Sequence, residues 1–204
     1  VGVMFYVLLA LRARLGVQAD LTSLLDLVAV GTVADMVPLD ANNRALVGAG
    51  MRRLRAGQGC AGLRALIEAA KRREAVLTTA DIGYAVGPRI NAAGRLEDMG
   101  IGIECLLTDD PARARELAAV LQAINEERRG VQQQMTDDAE AALAQLSGSE
   151  AAACLFDPDW HPGVVGLVAS KLKERLHRPA IAFAPAEPGS ATLRGSARSI
   201  PGFH

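Results

Sequence analysis

The stretch from Pro111 to Leu146 holds no internal proline and a single internal glycine, Gly130, and Pro111 stands where a first helical turn tolerates it. Its apolar residues Leu117, Leu121, Ile124, Val131, Met135, Ala142 and Leu146 recur at threes, fours and sevens. That spacing predicts one long helix with a narrow apolar stripe that packs on one partner. At 1.5 Å per residue it would reach on the order of 50 Å, more than a small domain is wide. It is therefore read as a connector between two domains, ended by Ser147-Gly148-Ser149.

The flanks differ in pattern. Upstream, Val1 to Leu15 and Leu21 to Val30 read as buried helices, the second capped by Thr22 or Ser23. A turn at Asp40-Ala41-Asn42-Asn43 leads to a helix over Arg44 to Leu54, stopped by Gly57 and Gly59. Leu63 to Ala70 and Ala80 to Val86 follow as short helices, and Gly87-Pro88 is expected to open a polar loop, Arg89 to Gly94. Downstream, Ala151 to Phe156, Val164 to Leu176 and Ala180 to Ala184 read as strand, helix and strand, with Thr192 to Ser199 as a third strand. Such a unit brings the loop after its first strand and the helix N-terminus to the carboxyl edge of a parallel sheet, where ligands bind.

Composition narrows the class. Half of the 204 residues are hydrophobic and 3% are aromatic, which suits closely packed helices and excludes disorder or a coiled coil alone. The most apolar run, Val1 to Leu11, is too short to span a bilayer. Cys60, Cys105 and Cys154 form no CxxC pair, so neither a disulfide framework nor a zinc cluster is indicated, and a cytoplasmic location fits.

The net charge of −1 hides local asymmetry. Arg44 to Arg73 carries eight basic residues against Glu68 alone, Glu104 to Glu150 ten acids against four bases, and Trp160 to His204 six bases against two acids. The first basic run either attracts phosphate or is a solvated helix face. Without interleaved aromatics for base stacking, the solvated face weighs more.

Four segments can carry chemistry. Asp26 to Asp35 is an apolar helix running through Gly31 and Thr32 to a terminal carboxylate, which must be a cap, an ion-pair partner or a metal ligand; Asp26, inside the helix, reads as structural. Arg89, Asn91 and Arg95, among glycines, suit phosphate geometry but equally suit a loop tying down carbonyls and Glu97 or Asp98. His161 lies at a predicted helix N-terminus that favours an anion, although a histidine beside Trp160 is also common packing. Gly195, Ser196, Arg198 and Ser199 offer hydroxyls and guanidinium to a phosphodiester. There is no HxH, HExxH or DxD cluster and no Walker or Rossmann glycine pattern, so a two-metal centre would need ligands from elsewhere.

Taken together and in order, DLVAVGTVADMVPLDANNR, GPRINAAGRLEDM, WHPGVVGLVASKLKERLHRPAIAF and GSARSIPGFH resemble the bacterial single-strand-specific DNA exonucleases of the DHH phosphoesterase family, along essentially the whole chain. The resemblance implies an α/β fold: the C-terminal, mostly helical part of a DHH catalytic domain (1–109), a long connector helix (110–149), and a smaller, incomplete α/β DHH-associated domain that binds nucleic acid (150–204). It implies a Mn2+- or Mg2+-dependent 5′ to 3′ exonuclease of recombination and repair, acting on single-stranded DNA, with single-strand-binding protein and a helicase as partners and no membrane association. Asp35 takes the place of the fourth-motif aspartate, a catalytic metal ligand. Arg89, Asn91 and Arg95 take the place of the loop facing the active site, and His161, Gly195, Ser196, Arg198 and Ser199 that of the strand-binding surface. The remaining metal ligands are expected upstream of Val1, so the chain reads as an internal piece that is inactive alone. Ala197 stands where the family's GSGRS has its second glycine. Two other readings keep the fold: a phosphodiesterase for short oligonucleotides or cyclic dinucleotides, and a strand-binding relative without catalysis.

Overall fold

The structure is a computed structural model that describes residues 1–144 and 151–203. It divides into two compact units, Val1–Asn125 and Glu126–His204.

The first unit is helical. Its elements are α1 (Gly2–Leu15), α2 (Leu25–Ala34), α3 (Ala41–Arg55), α4 (Ala61–Ala69), the single turn α5 (Thr79–Asp81), a π-helical stretch Ile82–Val86, α6 (Gly87–Leu96), α7 (Gly100–Leu107) and the first part of α8 (Pro111–Leu143). Leu54, Leu63, Leu66, Ile82, Val86 and Leu121 are almost wholly buried in one core, so α2 and α6 are fixed from beneath by packing.

Several expectations change here. Neither Thr22 nor Ser23 caps α2. They lie in a 3-10 turn, where Asp20 accepts from the Thr22 backbone N–H (2.9 Å) and hydroxyl (2.7 Å). Asp40 to Asn43 is not a separate turn but the start of α3, with the Asp40 carboxylate accepting from the Asn43 N–H at 2.7 Å. α1 is not buried: Phe5 alone is inside, while Val3 is 80% exposed. Its apolar surface runs round the helix, and its neighbours among the described residues, α2 and the Asn42 side-chain oxygen that accepts from Tyr6, meet only part of it.

The long helix forms, over 33 residues to Leu143. Its predicted last turn and the Ser147-Gly148-Ser149 stop lie outside the described residues. It is not a bare connector either. Ala114, Leu117, Ala118 and Leu121 enter the core of the first unit, whereas Met135 and Ala139 are buried in the second.

The second unit contains β1 (Ala153–Phe156), α9 (Val165–Leu176), β2 (Ala180–Pro185) and β3 (Leu193–Arg198), in the predicted order. β1 and β2 are parallel, joined through α9, and β3 returns antiparallel on the other side of β2, pairing Ile181 with Ala197 and Phe183 with Gly195. Ala180, Ala182 and Ala184 of β2 are fully buried, and Val168, Ala169 and Leu172 of α9 pack over the sheet. Beside α9, the end of α8 contributes Glu140, which is ion-paired to Arg175.

Candidate functional site

In the first unit the site begins with the way α2 stops. The Val37 N–H donates to the Thr32 carbonyl (3.2 Å) and the Met36 N–H to that of Val33 (3.1 Å), with Met36 in the left-handed region at φ 53°. This is a Schellman-type cap built without glycine, at a cost of about 1 kcal/mol for the left-handed residue. Its effect is to hold Asp35, the C-cap residue, at the surface. The Asp35 carboxylate makes no hydrogen bond or ion pair among the described residues, so it is neither the cap nor the salt-bridge partner that the sequence left open.

Asp35 and Asn91 line one cavity of about 390 Å³ whose other walls are backbone and apolar side chains, including Val30, Ile90, Ile103 and Leu107. They are its only polar side chains. The two residues meet because α6 starts hard against the end of α2. A side-chain carbon at Gly87 would lie 2.9 Å from the Ala34 methyl, beside Asp35, so only glycine allows this approach.

The segment expected to be a loop is helix α6, continuous with the π-helical stretch before it. On that helix Asn91 and Arg95 are exposed and one turn apart on a shared face. Arg89 is 7% exposed and turned inward: its Nε donates to Gln122 Oε1 at 2.6 Å and its Nη1 to the Ala85 carbonyl. It braces α6 against α8. The cavity wall from α7 was missed in the sequence, although Gly100 to Leu107 is an apolar run between Asp98 and the acidic pair Asp109-Asp110.

Among the described residues no group of three or more His, Cys, Asp or Glu side chains is placed to hold a metal ion. Asp35 fits a single carboxylate ligand and no more. Cys60 and Cys105 are not alternatives: burial pushes Cys105 up to about 11 and raises Cys60 as well.

In the second unit, the first turn of α9 faces β3. Gly166 lies so close to Ser196 and Arg198 that a side-chain carbon there would come within 3.1 Å of both. Arg198 donates from Nε to Ser170 Oγ (3.1 Å), and from Nη1 to Ser196 Oγ and the Ala197 carbonyl (2.8 Å each). A guanidinium and a hydroxyl are thus pinned beside helix N–H groups, an arrangement that accepts an oxyanion. His161 precedes the helix. Its Nδ1 accepts from the Gly163 N–H at 3.1 Å, which leaves Nε2 as the ring atom able to donate.

Two predicted members stand apart from this cradle. Ser199 donates its hydroxyl to the Phe203 carbonyl at 2.9 Å, within the chain's final turn. Gly195 is needed for packing, because a side chain there would overlap the Phe183 ring. Ala197 sits in regular antiparallel register with negative φ, so the strand needs no glycine at that position.

No protein-family model matches the chain. It is 49% identical over its full length to the single-stranded-DNA-specific exonuclease RecJ of Dickeya dadantii, and 49% identical to that of Escherichia coli. Along its whole length the chain is thus similar to RecJ exonucleases. The crystal structure of RecJ in complex with Mg2+ from Thermus thermophilus superposes on 95% of the chain with a TM-score of 0.82 at 36% identity. A structure of exonuclease RecJ bound to manganese does so over 98% with a TM-score of 0.80. These matches carry the α/β assignment. The chain spans 38% and 37% of the length of the Dickeya and Escherichia RecJ proteins and 29% of the Thermus RecJ chain.

Proposed function

We propose that this chain is part of a single-stranded-DNA-specific exonuclease, a metal-dependent hydrolase that removes nucleotides 5′ to 3′ in recombination and repair. The observation that carries the reading is the meeting of an unpaired Asp35 with Asn91 at one apolar-walled cavity, in a chain matched throughout by RecJ proteins. Mn2+ or Mg2+, held by Asp35 together with ligands from outside the described residues, would supply Lewis acidity and a more acidic bound water. Relatives solved with each of these ions agree with that choice.

The chain's own residues have separate tasks. Asp35 supplies negative charge at the cavity edge, and the Asn91 amide donates to a phosphate oxygen or water beside it. Arg95, one turn further along α6, draws the strand by its charge, while Arg89 acts only by keeping α6 in place. In the second unit Ser196, Arg198, the α9 N-terminus and the His161 Nε2 donor hold strand phosphates. All these groups address the backbone and none reads a base edge, so sequence specificity is not expected. The domain limits of a catalytic part, a connector and a DHH-associated part belong to the same proposal, with the first α8 turns assigned to the catalytic part. Among the described residues no helix is long and apolar enough to cross a membrane. A cytoplasmic site of action, with single-strand-binding protein and a helicase as partners, completes the reading.

The test is a manganese-dependent assay on 5′-phosphorylated single strands, using the complete polypeptide that carries this chain and its Asp35→Ala form. The expected result is 5′-end degradation by the parent and a loss of at least about a hundredfold in the variant, the scale of removing a group that acts on the reacting centre. Full activity in the variant would make Asp35 structural. Cleavage of only very short oligonucleotides would redirect the substrate assignment.

A further inference from the structure

The basic run from Arg44 to Arg73 is not used by either site above. Part of it lines a cavity of about 530 Å³ between α4 and the start of α8 within the first unit. Arg64 and Glu68 lie on one face of α4, Arg72 and Glu74 follow that helix, and Arg115 comes from α8 one turn after Pro111. This cavity shares no lining residue with the one that holds Asp35 and Asn91.

Its charges are arranged in layers. Glu74 accepts from Arg64 Nε at 3.1 Å and Asp81 forms an ion pair with Arg72 (Nε to Oδ1 2.9 Å), and the acids are less exposed (26% and 23%) than their arginines (54% and 50%). Thr78 donates its hydroxyl (2.7 Å) and its N–H (2.9 Å) to Asp81, and with the Arg72 charge these hold the Asp81 carboxyl below its ordinary range. Each arginine is therefore paired through Nε, and its terminal amino groups make no hydrogen bond among the described residues. Arg115 makes no ion pair or side-chain hydrogen bond among the described residues. Glu68 is the one lining acid without such a partner there. Three guanidiniums, two of them pre-oriented, face an open volume with a single uncompensated carboxylate.

We propose that this cavity is a phosphate-binding site, additional to the cradle in the second unit, which takes a phosphate group of a nucleic-acid strand or of a free polyphosphate. Guanidinium forks match phosphate oxygens in spacing and charge, and positions already held by carboxylates lose little freedom on binding. The absence of aromatic side chains from the lining excludes base stacking and leaves the phosphate as the recognised group.

Calorimetric titration of the chain with inorganic pyrophosphate, and separately with a short oligothymidylate, tests the assignment in Arg115→Gln and Glu68→Gln variants. Both positions are exposed, and matching thermal melts will show that the fold is kept. Arg115→Gln should weaken binding about fivefold and reduce its salt dependence by roughly one phosphate contact, whereas Glu68→Gln should tighten it. Effects on both ligands assign the site to the strand; effects on pyrophosphate alone assign it to a free polyphosphate. Unchanged binding of both ligands in both variants overturns the proposal, as does an oligo-aspartate peptide that competes as well as pyrophosphate. This site rests on the titrations with the Arg115 and Glu68 variants and the nuclease reading on the activity assay, so the two fail separately.

Discussion

Asp26 and Asp35 lie on the same helix and do opposite things. Asp26 is 1% exposed, and its carboxylate accepts from the Cys60 N–H at 2.7 Å and from the Leu27 N–H at 2.6 Å, which ties α2 to the residue that opens α4. Asp35 is exposed and makes no such bonds. Replacing Asp26 by Ala strands a buried donor and should cost about 1–3 kcal/mol, read as a lower urea midpoint with an unchanged slope, while Asp26→Asn keeps one acceptor and costs less. Asp35→Ala should leave that midpoint in place. The structural role of Asp26 was legible in the sequence because a carboxylate inside an apolar helical repeat has to be satisfied internally. The inward turn of Arg89 was not, since residue type announces a guanidinium but not the Ala85 carbonyl and Gln122 side chain that occupy it.

At the scale of elements, the misread segment is instructive. Gly87-Pro88 looks like a helix break because proline lacks an N–H and its ring crowds the carbonyl four residues back. Here the preceding turn widens to a π-helix over Ile82–Val86, which takes up that misfit and lets α6 begin without a loop. Backbone widening of this kind leaves no periodic trace in composition. The long helix was legible from its lack of breakers, but its packing was not. The leucine stripe pointed to a single partner, while the small residues Ala114, Ala118 and Ala139 decide where it is actually buried. Gly130 supplies the test at this scale. It lies inside α8 with nothing within 4 Å of where a side-chain carbon would stand, so Gly130→Ala should stabilise the chain by about 0.5–1 kcal/mol, measured by chemical unfolding. A loss of stability on that substitution would mean that α8 bends or is covered there.

Over the whole molecule, the strand and helix order of the second unit was readable because strand-helix-strand patterns admit few topologies, and the structure keeps that order with β3 added antiparallel. The site divides differently: the groups proposed for phosphate lie in both units, whereas among the described residues no three His, Cys, Asp or Glu side chains gather to hold a metal, and the proposal rests there on the Asp35 carboxylate. Binding and hydrolysis should therefore separate in this chain. A strand held through the proposed contacts of either unit should bind weakly, with log K falling by about 0.7 per phosphate contact for each tenfold rise in salt. The same chain with manganese should leave a 5′-phosphorylated strand intact, because one carboxylate cannot fix two cations or lower the pKa of a shared water on its own. Fluorescence anisotropy across a salt series and a gel assay on the same samples measure the two properties together. Salt-insensitive binding would remove the phosphate contacts from the account. Hydrolysis by the isolated chain would mean that a complete metal centre forms from residues other than those assembled around Asp35.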